Sequence, residues 1–387
     1  MKRRNFIKLA IGSSALATLP GVLAGPAFSA DPIRVGVLLP RSGPGGLFGP
    51  SCENATNLAV TEINESGGIL GRMVEPVFAD AGGPPADATQ AALKLWKGDQ
   101  VDAFVGMHDS AVRGALTNLF KGEVPYIYTP VYEGGECSSG TYVLGETPAQ
   151  QLAPVVPWMA ENKGASKWYL IGNDYNWPRD TNAAAKGYIE ASGGTVVGEE
   201  YLPFTADNFD SNLAKIKSSG ADTVLITLVG GASVGFNRAF ASFGLSDSVT
   251  RLGTLIEENT LAGIGAENSK NLFSSAGYFG SIDTPAAKAF AEKYHSTFGE
   301  EAAALNTLGE SCYEGMKLLQ ALATKADSLD VAAFEGAADG TSYEGPRGVA
   351  TMSDRHVSRD VYLAEADGAS FKVIETFKEI GAGDNCS

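Results

Sequence analysis

The residues able to do chemistry sit in short polar segments that follow apolar runs. Met107-His108-Asp109-Ser110 brings an imidazole, a carboxylate and a hydroxyl together. As chain neighbours they cannot take the separate nucleophile, base and orienting-acid positions of a hydrolytic triad. No spacing for a catalytic carboxylate pair accompanies them. His108, His295 and His356 are scattered and no Cys-x-x-Cys occurs, so a metal centre has no support. What these residues offer is hydrogen bonding. Ser110 opens a helical pattern, where its hydroxyl and the amides behind it suit an oxygen atom or simply cap the helix.

Similar segments recur along the chain. Arg41 to Phe48 is rich in glycine and proline, Tyr128-Thr129-Pro130 leads to Tyr132-Glu133, and Asn173-Asp-Tyr175-Asn-Trp177-Pro-Arg179 carries two aromatics. Leu228-Val-Gly230-Gly231 and Glu257-Glu258 complete the set. Each has a plainer reading: a ring that packs on the core, a turn, a solvated helix start. Their repetition at the same end of successive strands favours a shared site. Ligands of open α/β sheets bind beyond the carboxyl ends of the strands, and aromatic walls with few polar handles make a small-molecule pocket.

The elements that position these segments alternate regularly. Strands are expected over 33–40, 74–80, 101–107 and 124–129, with helical periodicity over 51–66, 86–98 and 110–120. The rhythm restarts with strands at 168–174, 195–201 and 221–230 and helices at 178–191 and 209–219. Helices over 284–298 and 305–324 follow, then strands 360–365 and 370–377 joined at Asp367-Gly368, a hairpin signal. Strand–helix–strand repetition argues for parallel sheets covered on both faces. The fold class is α/β, in two Rossmann-like lobes.

The first thirty residues and the composition fit an exported globular protein. The first thirty residues join a basic start (Lys2, Arg3, Arg4, Lys8) to an apolar run and a small-residue exit at Ala27-Phe28-Ser29-Ala30. That order marks a secretory signal, and Arg3-Arg4 before Phe6 resembles the twin-arginine type. The whole chain has 29 basic and 45 acidic residues, a net of −16. Without the leader, 25 basic against 45 acidic residues leave −20, which disfavours nucleic acid and anionic lipid. Cys52, Cys137, Cys312 and Cys386 allow three pairings in an oxidising compartment. Cys52–Cys137 is expected, because both follow strand-exit loops of the first lobe, and Cys312–Cys386 by default.

Further motifs narrow the class. Gly67-Gly-Ile69-Leu-Gly-Arg-Met73, Asp80-Ala-Gly-Gly-Pro-Pro-Ala-Asp87, Tyr132-Glu133-Gly134 and the Asn173–Asn182 segment resemble the type I periplasmic binding proteins of ABC importers. The resemblance is to the branched-chain amino-acid, amide and urea receptors, and within them to the amide and urea branch. Ser281–Pro285 and Asp354-Arg-His356 add two structural matches. The resemblance covers essentially the whole mature chain. It implies a clamp with three crossover segments and a ligand cleft between the lobes. Lobe 1 would hold 31–149 plus about 279–345, and lobe 2 would hold 150–278 plus about 346–387. It implies no cofactor and no enzymatic activity, with a permease and an ATPase as partners outside the cytoplasm. Carried over by position, Ser110, Tyr128, Tyr175 and Trp177 meet the ligand, with Phe48, His108, Thr129, Tyr132 and Gly230 around them. His108, Pro130 and Trp177 depart from the amide sensor's pattern, which points to a changed ligand.

Charge separates two ligand classes. Urea or a short amide needs acceptors, a donor and apolar walls. An amino acid adds an ammonium that requires a buried acid, and Glu257 is the lobe-2 residue placed to supply one. The expected ligand is urea or an amide, with an amino acid second and a secreted hydrolase as the remote alternative.

Overall fold

Aliphatic runs flanked by glycine and proline build the strands. β1 (Ile33–Leu39) buries six of its seven side chains, as a strand covered on both faces must. The computed structural model describes residues 31–383 and Cys386, and the export-signal reading of residues 1–30 lies outside the described residues. β2 (Val74–Asp80), β3 (Ala103–Gly106), β4 (Tyr126–Tyr128) and β5 (Thr141–Val143) join β1 in a parallel sheet ordered β2-β1-β3-β4-β5. β6 (Lys167–Asn173), β7 (Thr195–Leu202), β8 (Thr223–Thr227), β9 (Thr250–Gly253) and β10 (Leu272–Ala276) repeat that order as β7-β6-β8-β9-β10. Helices 49–65, 85–93, 110–120 and 307–326 pack on the first sheet; helices 176–191, 210–219, 230–242 and 258–264 belong to the second half.

Two hairpins close the chain. β11 (Ser342–Gly345) and β12 (Gly348–Ser353) pair with each other, and β12 pairs with the start of β13 (His356–Asp367). β13 first lies parallel to β5 at His356–Val143, then runs antiparallel to β10 through Tyr362–Glu365. The chain therefore changes halves inside β13, about ten residues later than the expected boundary near 346. β14 (Ser370–Ile380) pairs back on β13, extending the hairpin expected at Asp367-Gly368.

The crossovers are pinned by buried amides and ions. Gln151 donates to the carbonyls of Thr254 (2.9 Å) and Ser275 (2.6 Å), and Gln150 to those of Val357 and Ile380 (3.0 Å each). Beside them Arg347 contacts Glu146 (2.8 Å), Glu310 (2.9 Å) and Glu314 (2.6 Å), all almost fully buried. The two arginines Arg347 and Arg359 pull the Glu314 carboxyl down to about 2 against the burial that would raise it.

The cysteine pairing differs from expectation. Cys137 bonds to Cys386, tying the end of the chain to the loop after β4. Cys52 and Cys312 are free and buried, on helices 49–65 and 307–326 that face each other. The sequence argument put Cys52 after a loop, whereas helix 49–65 carries it into the core, where Cys312 is its neighbour. No helix among the described residues is long and apolar enough to cross a membrane.

Candidate functional site

The carboxyl ends of the two parallel sheets face each other across a cleft with roughly 580 Å³ of atom-free space, part of it open to solvent. Phe48, Met107, Tyr128 and Leu308 wall it from the first half. Tyr175, Trp177, Phe204, Val229 and Leu255 wall it from the second. Its polar handles are His108, Asp109, Ser110 and the hydroxyls of Tyr128 and Tyr175. No lysine or arginine lines it.

The start of helix 110–120 sets these handles. Asp109 is its N-cap, accepting from the Val112 amide at 2.8 Å, and Ser110 is the first helical residue. The cap expected of Ser110 thus falls to Asp109, and the serine hydroxyl is spent elsewhere. Ser110 Oγ donates to Glu133 Oε2 at 2.6 Å and accepts from Arg113 Nη1 at 3.2 Å. Arg113 also donates to Glu133 Oε1 (2.7 Å) and Glu136 Oε2 (3.0 Å). Its guanidinium lies over the rings of Tyr128 and Tyr132.

Tyr128 donates its hydroxyl proton to the His108 carbonyl at 2.9 Å. His108 places Nδ1 3.1 Å from the Asp109 carbonyl, so Nδ1 bears the proton and Nε2 accepts from Tyr126 OH at 2.9 Å. Burial pushes the imidazole down to about 4, so it is neutral at pH 7. Tyr128 and Ser110 therefore present acceptors to the cleft. Trp177 also lines the cleft, and its buried Nε1–H has no protein partner.

Among the contacts between the halves, two lie beside the cleft at Asn176 and Gly230. Asn176, between the two cleft aromatics, donates to Glu133 Oε1 at 2.9 Å. Gly230, at φ +56°, sits so close to the Pro44 carbonyl that a Cβ would lie 2.0 Å from its oxygen.

Of the ten residues named from the sequence, six line this cleft: Phe48, His108, Ser110, Tyr128, Tyr175 and Trp177. Four do not line it. Thr129 is buried behind β4 with its hydroxyl on the Gly106 carbonyl (3.3 Å). Tyr132 packs on the opposite face of that sheet with Tyr126 and Tyr128, and hydrogen-bonds His356 Nε2. Gly230 serves the contact with Pro44. Glu257 caps helix 258–264, accepting from the amides of Asn259 (2.8 Å) and Thr260 (2.7 Å) and from the Thr260 hydroxyl (2.7 Å). The residue that reaches the cleft from that loop is Leu255, so the loop offers no acid to an ammonium.

Arg113, Asn176, Phe204 and Leu308 were not foreseen. Arg113 was legible as the residue one helical turn after Ser110 and on its face. One pattern left out of the sequence argument bears on hydrolysis: Gly231-Ala-Ser233-Val-Gly235 has the Gly-x-Ser-x-Gly spacing after β8. Ser233 lies inside helix 230–242, fully buried, with no partner for its Oγ. Without exposure or a base it is no nucleophile. Among the described residues no group of histidine, cysteine and acidic side chains is arranged to hold a metal.

Comparison with known proteins agrees with this architecture. A sequence model described as periplasmic binding protein matches residues 32–370. A Leu/Ile/Val-binding protein homolog of Brucella melitensis is 29% identical over 96% of this chain and 97% of its own. A solute-binding protein of an ABC transporter from Rhodopseudomonas palustris, solved with p-hydroxybenzoic acid, is 26% identical. It covers 91% of this chain and 99% of its own, with a TM-score of 0.84. A leucine-binding protein of Thermotoga maritima shares the fold at a TM-score of 0.81 and 18% identity, over 89% of this chain and 99% of its own.

Proposed function

The chain belongs to the periplasmic binding protein family, and on that premise we propose that it captures a small uncharged amide for an ABC importer outside the cytoplasm. The observation that carries the ligand class is the commitment of two protons. Ser110 gives its proton to Glu133 and Tyr128 gives its own to a backbone carbonyl, so both meet a ligand as acceptors. Asp109 is a third acceptor in the lining. An amide NH2 satisfies these groups, while its carbonyl suits the free indole N–H of Trp177. A carboxylate would set its oxygens against the acceptors of Ser110, Tyr128 and Asp109, with no cation in the wall and only the Tyr175 hydroxyl and the Trp177 indole as donors.

The apolar area of the cleft suits an amide with a short aliphatic or aromatic body. Amino acids are disfavoured, since no lysine or arginine lines the cleft to meet their carboxylate. The second reading is an aromatic carboxylic acid. It is favoured by the p-hydroxybenzoic acid complex of the Rhodopseudomonas relative and by five aromatic walls here (Phe48, Tyr128, Tyr175, Trp177, Phe204).

The test is calorimetric titration of protein unfolded and refolded to strip carried-over solute. Urea, butyramide and benzamide are compared with butyrate, benzoate, 4-hydroxybenzoate and leucine. Benzamide binding at least tenfold tighter than benzoate is expected. The reverse order would replace the amide reading by the aromatic acid, and leucine alone would restore the amino acid.

A further inference from the structure

We propose that Glu133 both fixes the hydrogen-bonding polarity of the cleft and anchors its closure, by holding the Ser110 proton on one oxygen and Asn176 of the opposite half on the other. The polarity part rests on the amide reading; the closure part stands without it.

One carboxylate, its side chain 7% exposed, receives three donors: Ser110 Oγ at 2.6 Å, Arg113 Nη2 at 2.7 Å and Asn176 Nδ2 at 2.9 Å. The first two come from helix 110–120 and the third from the first turn of helix 176–191. Asn176 stands between Tyr175 and Trp177, so the bond that seats it on Glu133 also brings both rings over the cleft. A hydroxyl has one proton. While Glu133 is ionised that proton points to it, and Arg113 occupies one of the oxygen's lone pairs. The remaining lone pair is what a solute meets. Glu133 does not line the cleft, and it acts on the solute through Ser110 and Asn176 as a positioning residue.

Glu133→Gln keeps the volume and turns one acceptor into a donor. Ser110 is then free to turn its proton into the cleft, and Arg113 keeps only Glu136 as counter-charge. The ratio of benzamide to benzoate affinity should fall at least tenfold, with benzoate affinity itself rising at least fivefold. A merely structural role would weaken both solutes alike. Asn176→Ala should weaken both about tenfold and leave the ratio unchanged, as loss of one charge-assisted hydrogen bond made in the closed form.

Closure is read separately, without solute. Spin labels are placed at Leu93 and Lys217, exposed positions on the two halves, while the buried Cys52 and Cys312 escape labelling. Asn176→Asp, which sets a second carboxylate against Glu133, should move the distance distribution toward the open form, and Asn176→Ala should do so less. Identical distributions in the wild type and both variants overturn the anchor, whatever any amide does. An unchanged benzoate affinity in Glu133→Gln, folded by circular dichroism, overturns the polarity role. Failure of all amides on the wild type would instead sink the ligand reading and the polarity role with it, and leave the closure test standing.

Discussion

Acidification from pH 7 toward pH 4 should weaken the fold through His108, by an amount that follows from where the imidazole sits. The ring is 4% exposed, and a Cβ on Gly106 would lie 2.6 Å from its Nε2, so the ring packs flat on the backbone. Its nitrogens are both used, on the Asp109 carbonyl and the Tyr126 hydroxyl. Burial holds the folded ring at about 4, against 6.5 for an ordinary histidine. Between those values the unfolded chain binds a proton that the folded protein refuses, so stability falls as pH falls. Each tenfold gap in proton affinity is worth 1.36 kcal/mol, which makes the whole loss about 3 kcal/mol by pH 4. Glu62, Asp80 and Glu314, all held below the ordinary carboxylate range, add their own losses at lower pH. The assay is therefore a difference: urea unfolding of wild type and His108→Gln at half-unit steps from pH 7 to 4. Gln keeps an acceptor for Tyr126 without titrating. The two curves should diverge below pH 6.5, the variant gaining on the wild type by about 3 kcal/mol. Parallel curves would refute the assignment of the buried, neutral ring.

Three further outcomes are expected. Trp177→Phe, which keeps a ring but removes the free indole N–H, should weaken amide binding by about 1–3 kcal/mol in calorimetry while the melting temperature moves little; unchanged affinity would take Trp177 out of the solute's reach. Gly230→Ala sets a methyl against the Pro44 carbonyl of the opposite half, so it should leave a folded protein that closes poorly, seen as a larger radius of gyration in X-ray scattering and a lower affinity. Alkylation without reductant should tag two thiols after denaturation, Cys52 and Cys312, and none in the native state; breaking the 249-residue link with Cys386→Ser should cost about 2–5 kcal/mol in denaturant melts.

Several strands were legible from their apolar runs and the glycine and proline that bound them. β2 matches its expected span of 74–80, and β1 and β6 fall within a residue of theirs. β5, β9 and β10 were not, for physical reasons. β9 carries Arg251, a charge that reads as surface, yet the guanidinium is buried and donates to Asn237 Oδ1 (2.8 Å) and to the carbonyls of Asn268 (2.9 Å) and Lys270 (2.7 Å). β10 holds Ser274 and Ser275, whose hydroxyls are satisfied by the Ile256 and Gln151 carbonyls (2.6 and 2.8 Å), bonds no local pattern reveals. In the cleft, aromatic positions were readable because they follow strands. Glu257 was misjudged because strand exit gives the neighbourhood and not the direction, and capping the next helix turned the carboxylate away. Glu133 and Asn176 were visible only as letters in a motif. Their partnership joins residues 43 positions apart on opposite halves.

β13 has a mechanical meaning beyond its place in the topology. It is one continuous strand laced into both sheets, parallel to β5 at its start and antiparallel to β10 further on, with an irregularity in its pairing to β14 between Arg359 and Val361. The halves therefore cannot swing apart like plates joined by string. Opening must wind this strand about its own axis over the few residues between its two neighbours, and a wound strand stores elastic energy that grows with the angle. Stiffening those few residues should narrow the range of angles without touching any group that faces the cleft.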